Sequence, residues 1–230
     1  SLPALWTTAR SGEGLFGYSV QNTSLRPVER FVKRTVDLLG AGLVMLLLMP
    51  VLAMIAVAIS RDSPGGVLYR QERMGLNGGI FTVLKFRTMY ADADQKLDRI
   101  LAAAPARRRE YERYHKLQDD PRVTPVGRFL RRYSIDELPQ IFNVLCGDMS
   151  LVGPRAYMPG ELPEMNGLSR AVLQVPPGIT GLWQVSGRNA LSFEERLDLD
   201  VHYVQNWSAW LDLYLLVRTV PTVLSGDGAS

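Results

Sequence analysis

"LLGAGLVMLLLMPVLAMIAVAI", residues 38–59, carries no charged side chain and a single proline, Pro50, near its middle. About 20 apolar residues are what a bilayer-crossing helix needs, so this stretch decides whether the fold is a free-standing domain or one built against a membrane. Two features complicate a plain spanning helix. Proline lacks a backbone donor and its ring collides with the preceding turn, which predicts a kink or a break. Basic residues also flank both ends: Arg26, Arg30, Lys33 and Arg34 before, Arg61, Arg70 and Arg73 after. Lys/Arg-rich flanks favour the cytoplasmic side, and the rule is fully satisfied only if both ends stay there. The arms before and after Pro50 measure roughly 18 and 14 Å, each about half of a ~30 Å hydrocarbon core. A helix–break–helix hairpin dipping into one leaflet and a kinked spanning helix both stay open from these residues alone.

The 230 residues suffice for one good-sized domain. The net charge of +3 is close to balance, but residues 101–132 hold nine Lys/Arg against four acids. That surplus suits phosphate, lipid headgroups or nucleic acid, or else marks a solvated helix face. One cysteine, Cys146, and two histidines, His115 and His202, exclude an intrachain disulfide or a Cys/His metal cluster. Within its apolar run Cys146 is expected to be a small buried hydrophobe. The chain starts at Ser1 and opens with no cleavable signal peptide, so a piece of a longer protein is expected.

Outward from the apolar run, "GLFGYSVQ" reads as a short strand. "GGVLYRQERMGLNGGIFTVLKFRTM" reads as two strands joined by a Gly-rich turn that is neither a Walker loop nor a dinucleotide fingerprint. A helical pattern covers Asp92 to about Lys116. Ser192 and Glu195 form a capping box for a helix to about Gln205. "NWSAWLDLYLLVRTVPTVL" is a final amphipathic helix expected to stop near Pro221, with Trp207, Trp210 and Tyr214 as core aromatics or interface anchors.

"RRYSIDELPQIFNVLCGDMSLVGPR", residues 131–155, sets Asp136 and Glu137 side by side. Ser134 and Glu137 have capping-box spacing, with Asp136 favoured near a helix start. Pro139 spoils that register, because proline belongs at the first helical position. A helix starting at Pro139 leaves both carboxylates in the turn that enters it. With Arg131, Arg132 and Arg155 near in sequence, the pair suits a phosphate and a divalent metal held by Asp136 and Glu137. A carboxylate can also attack phosphorus. Capping and catalysis both stay open on local physics.

"KFRTM" (85–89), "SIDELPQIFNVLCGDMSLVGPR" (134–155) and "PGITGLWQVSGRN" (177–189) resemble the bacterial sugar transferases, the monotopic polyprenyl-phosphate phosphoglycosyl transferases, over nearly the whole chain. The upstream "GLFGYSVQNTSLRPVERFVKR" and the closing "DGAS" are similar to the large subclass typified by galactose or glucose phosphotransferases, whose extra N-terminal helices fit a truncated chain. The resemblance implies an α+β fold: a mainly helical, membrane-associated catalytic domain (61–230) with a small β-hairpin. It also implies a proline-broken re-entrant membrane helix (28–60) at Pro50, behind an extension or linker (1–27). It implies transfer of galactose-1-phosphate or glucose-1-phosphate from UDP-galactose or UDP-glucose to undecaprenyl phosphate, releasing UMP, with Mg2+ required. That step opens bacterial surface polysaccharide synthesis on the cytoplasmic face of the inner membrane. Its partners are the UDP-sugar, the polyprenyl phosphate and membrane lipid, with no nucleic acid; a homodimer is an open option. Asp136 is the implied nucleophile and Glu137 its partner at the metal. Arg155 grips phosphate, with Arg131 as a second contact and Lys85 and Arg87 as partners of the dyad or of phosphate. Arg188, Gln184 and Asn189 are nucleotide contacts, or members of a loop whose glycines permit tight turns. Ala156 departs from the proline that many members carry after the "GPR" sequence, and touches none of these roles.

Two other classes compete. A metal-dependent glycosyltransferase would use Asp92-Ala93-Asp94 and release UDP, although no nucleotide-binding βαβ context surrounds that short match. A non-catalytic membrane scaffold would use only the basic patch.

Overall fold

A computed structural model describes residues 7–9, 18–20, 27–104, 107–109, 111, 117, 120–188 and 191–225. The described residues are mostly helical, with small two-stranded sheets and one long apolar helix near the N-terminus.

That helix, α1, runs from Pro27 to Asp62 with Pro50 inside it. The break expected at Pro50 is not seen. One lost donor is borne by a helix whose neighbouring turns keep their own bonds and whose flanks are packed on both sides of the proline. One stripe faces the rest of the chain along the whole length. Ala41, Val44 and Met45 pack with Val83, Ile141, Val144 and Met149. Leu52, Ile55 and Ile59 pack with Phe86, Leu130, Val126 and Ile135. These positions recur at helical spacing, so both arms of α1 lie on the same body. The opposite face is open and apolar, with Leu39 71% and Leu46 70% exposed. By length and composition α1 is a candidate membrane segment.

The N-terminal flank of α1 is sewn in by buried charge. Lys33 Nζ donates to Asp212 (2.6 Å) and to the Val152 carbonyl (2.8 Å). Asp212 also accepts from Tyr203 (2.7 Å) and Trp207 (3.1 Å). Asp37 accepts from Ser150 and from the Leu151 amide, both at 2.9 Å. Arg34 donates to the Val144 and Leu145 carbonyls. Lys33 and Arg34, counted in the sequence as flanking charge, are therefore structural ties.

β1 (Thr7–Ala9) and β2 (Tyr18–Val20) pair antiparallel. β3 (Leu68–Met74) and β4 (Ile80–Phe86) form the expected hairpin, in register from Leu68↔Phe86 to Met74↔Ile80. Its turn needs a left-handed residue, supplied by Asn77 at φ 56°. α2 spans Ala93–Ala103. Residues 107–109 and 111 are helical as well, while the expected end near Lys116 lies outside the described residues. α3 (Pro125–Arg132) begins as its sequence dictates, with Thr124 capping the Gly127 amide and proline in the first turn. Gly127 passes so close to Thr88 that an added Cβ would sit 2.1 Å from the Thr88 carbonyl oxygen.

α4 (Gln140–Cys146) follows the dyad turn, and β5 (Ser150–Val152) pairs parallel with β6 (Gly178–Thr180). α5 (Ser169–Val172) and α6 (Leu182–Ser186) are short. α7 (Phe193–Gln205) carries the expected capping box, Ser192 and Glu195 bonding each other's backbone amides at 2.7 and 3.2 Å. α8 (Ala209–Ser225) runs through Pro221 instead of stopping there. Proline costs one bond near a helix end whose surroundings are open, and the turn beyond it persists. Cys146 is exposed, against the sequence expectation, because it ends α4 on the open face of that helix, four residues after exposed Phe142, before Gly147 reverses the chain at φ 99°.

Candidate active site

The dyad sits on a short turn between two helices. α3 ends at Arg132, and Ser134 takes a left-handed backbone (φ 53°) with no side-chain capping bond. The Ser134–Glu137 capping box is thus absent. A single 3-10 turn, Ile135–Glu137, follows, and Pro139 precedes α4 at its cap position. Ile135 packs with Ile59, Phe86 and Leu130 and anchors the turn. Asp136 and Glu137 project from it beside β4.

Asn143 holds β4 against α4. Its Oδ1 accepts from the Leu84 amide (3.1 Å) and its Nδ2 donates to the Thr82 carbonyl (2.7 Å). Sequence reasoning missed this clamp, whose partners lie in a distant hairpin. The clamp sets Lys85 opposite the dyad, where Nζ reaches Glu137 Oε1 at 2.6 Å. Arg131 donates from Nε to Thr88 (2.9 Å) and keeps its charge near Asp136.

Asp136 differs from its neighbour. Among the described residues no other side chain donates a hydrogen bond to it. Burial, and then the charge of Glu137, push its carboxyl up to about 6, although Lys85 and Arg131 pull it down. Such a group is still mainly ionised at neutral pH. A partly desolvated carboxylate without a side-chain hydrogen-bond donor is poised to react with an electrophile.

The remaining predicted residues divide. Arg87 donates to Ser63 and to the Ser63 and Pro64 carbonyls, which ties β4 to the end of α1 instead of to the dyad. Arg155 lies beside Glu161 (3.3 Å) and over the Trp183 ring (5.6 Å). Arg73 connects the two groups. Its charge is coupled to Glu137 and to Arg155, and Nη1 donates to the Ala156 carbonyl at 2.9 Å. Gln184 is half-buried in α6, and Arg188 has a left-handed backbone (φ 50°). Asn189 lies outside the described residues. The aromatics of α8 split: Trp207 bonds Asp212, whereas Trp210 and Tyr214 are exposed. The basic patch is partly internal, since Arg122 grips Asp120 through Nε and Nη2. Asp92 pairs with Lys96 (3.1 Å) at the start of α2, which makes the D-x-D match a helix start.

A metal fits only with help. Among the described residues no group of three or more His, Cys, Asp or Glu side chains could hold an ion. Glu137 and Asp136 offer a hard oxygen pair of the kind that holds Mg2+ together with substrate phosphates and water. The donor set fits a substrate-borne ion and not a protein cage.

A sequence model of the family described as "Bacterial sugar transferase" matches residues 28–226. The chain is 44% identical over 210 residues to a UDP-galactose-lipid carrier transferase of Erwinia amylovora, covering 91% of this chain and 44% of that protein. It is 42% identical over 210 residues to an undecaprenyl-phosphate galactose phosphotransferase of Salmonella typhimurium, again covering 91% of this chain and 44% of the relative. Over 223 residues it is 40% identical to the exopolysaccharide production protein ExoY of Sinorhizobium fredii, covering 97% of this chain and 99% of that one. The chain thus spans less than half the length of the first two relatives and nearly all of the third.

Proposed function

The chain belongs to the bacterial sugar transferase family, and from that membership we propose that it is a phosphoglycosyl transferase moving galactose-1-phosphate or glucose-1-phosphate from a UDP-sugar to undecaprenyl phosphate. The observation that carries the reading is Asp136: a half-buried carboxylate, raised to about 6, with no side-chain donor among the described residues, beside a Lys85–Glu137 pair at 2.6 Å. The names of the relatives support the substrate class, with galactose in two of them.

In this mechanism a carboxylate oxygen of Asp136 attacks the β-phosphorus of the UDP-sugar. The bond from that phosphorus to the bridging oxygen breaks, and UMP leaves with the electron pair. The phosphosugar on Asp136 is then attacked by a phosphate oxygen of the lipid, which frees the carboxylate and forms the diphosphate-linked sugar. Lys85 fixes Glu137, and Arg131 and Lys85 keep Asp136 ionised. Arg155, with its planar fork, grips phosphate oxygens. Mg2+ held by Glu137 and Asp136 with the substrate phosphates would neutralise phosphate charge.

The topology follows the chemistry. Both arms of α1 pack on the body that carries the dyad, which supports a segment that enters one leaflet with both flanks on the cytoplasmic side of the inner membrane. The exposed apolar faces of α1 and α8 would then meet lipid. A cysteine placed in the flank before α1 should be labelled from the cytoplasmic side only; periplasmic labelling would restore a spanning helix. The product step belongs to surface polysaccharide synthesis, as the ExoY name suggests for that relative. The test is the leaving nucleotide: UDP-galactose or UDP-glucose with undecaprenyl phosphate and Mg2+ should release UMP, and release of UDP would refute the reading.

A further inference from the structure

Beyond the dyad, a second group of charges has too few counter-ions. Arg155 and Arg196 both lie against one indole, their guanidinium carbons 5.6 and 5.5 Å from the Trp183 ring centre. Arg196 is fixed there by donating from Nε (3.0 Å) and Nη2 (2.8 Å) to the Leu191 carbonyl. Arg73 approaches from β3, with Nη1 4.0 Å from Glu161. Glu161 is the carboxylate that serves Arg155 as well, and its other oxygen is engaged by the Met158 amide at 2.6 Å.

Of the other acids, Glu137 faces Arg73 but is taken by Lys85 at 2.6 Å, and Asp200 is fully buried, bonded by the Arg155 amide and Tyr157 at 2.9 Å, and pushed up by burial to about 7. It is thus only partly ionised at neutral pH. Burial, followed by the charge of Arg155, pushes Arg73 and Arg196 down. Guanidiniums do not deprotonate in proteins, so the repulsion is held in the fold until an anion relieves it. The same place holds unpaired polar atoms: among the described residues Arg155 Nε, Trp183 Nε1 and Gln184 Oε1 are buried without a hydrogen-bond partner. Buried polar groups are rarely left so.

We propose that Arg196 and Trp183, with Arg73 and Arg155, form the seat of the departing nucleoside monophosphate, the guanidiniums taking its phosphate and the unpaired polar atoms its base or ribose. This rests on the phosphoglycosyl transferase reading and deepens it. The water-soluble substrate is favoured over the lipid phosphate by position. The described partners of this cluster come from β3, the 153–161 segment, α6 and α7, and α1, where lipid arrives, supplies none of them. Arg73 leads from the cluster to Glu137, so the α-phosphate would lie beside the phosphorus that Asp136 attacks.

The test uses the full chain in membrane or detergent. Quenching of tryptophan fluorescence by UMP should saturate in the parent protein. Arg196→Gln should raise the UMP inhibition constant and the KM for UDP-sugar about tenfold or more, with the KM for undecaprenyl phosphate within about twofold. Arg196→Lys should recover part of the loss, since it restores charge but not the fork; it also carries the test if the glutamine variant does not fold. Unchanged UMP inhibition in a folded variant would overturn the proposal, and so would a rise confined to the KM for undecaprenyl phosphate. Release of UDP by the parent protein would instead overturn the underlying reading, which separates the two failures.

Discussion

Asp136 and Asp212 are both carboxylates near a lysine, and the chain treats them in opposite ways. Asp212 accepts from Lys33, Tyr203 and Trp207, and the whole group is closed inside the fold. Asp136 sits near Lys85 and Arg131 without a hydrogen bond from either, because Lys85 is taken by Glu137 and Arg131 by Thr88. A carboxylate whose lone pairs are filled holds elements together. One that is desolvated and left with its lone pairs open costs stability and gains reactivity. The contrast predicts which substitution destroys activity and which destroys the fold.

The largest effect should come from Asp136→Asn. UMP release should fall by about three orders of magnitude or more, with the circular dichroism spectrum intact. Asp212→Asn should do the reverse, destabilising the protein by roughly 3–5 kcal/mol because it takes from the buried Lys33 ammonium its hydrogen-bonded counter-charge and leaves only Asp37 nearby. A thermal melt checks it, and a melt unchanged from the parent would break the comparison. Lys85→Met should lower turnover about ten- to a hundredfold by freeing Glu137. It should also shift the acid limb of the rate profile upward, since a cation that pulls the Asp136 carboxyl down is lost.

In the parent protein that limb should rise with pH through about 6, as Asp136 ionises; a limb centred near the ordinary carboxylate value would remove the argument from burial. The smallest effect is on stability. The folded state raises the Asp136 pKa, so it favours the protonated form; that contribution is present below the unfolded value and is lost as pH rises through about 6. Asp136→Asn should therefore stabilise the fold by about 1–2 kcal/mol above that pH and by little near pH 4, as read from denaturant midpoints.

Local chemistry in the chain already displayed much of this arrangement. The hairpin around Asn77, the helix expected from Pro139 and the Ser192–Glu195 box each depend on residues within a few positions of one another, and each forms, the helix one residue later than read. The elements that aim the site do not have that property. Lys33 and Asp212 are 179 residues apart, and Asn143 reaches Leu84 across 59. No periodicity or spacing joins them. A hint existed in the charges of α1, where Lys33 and Asp37, ahead of the apolar run, share one face with Ala41 inside it at four-residue spacing. Polar residues on the stripe that later turns apolar mark the side facing protein. Neither Pro50 nor Pro221 ends its helix, since packing or open surroundings let each helix continue. The Trp183 cluster escaped for the same reason as Asn143: Arg73, Arg155 and Arg196 meet only in three dimensions.

Covalent capture on Asp136 tests the central claim most directly. Mixing the protein with UDP-galactose or UDP-glucose and Mg2+, without lipid acceptor, then digesting and weighing the fragments, should give one hexose phosphate on the peptide carrying Asp136. That adduct should vanish when undecaprenyl phosphate is added and should be absent from Asp136→Asn. UMP release at full rate with no adduct, or the same adduct in the asparagine variant, would contradict the account.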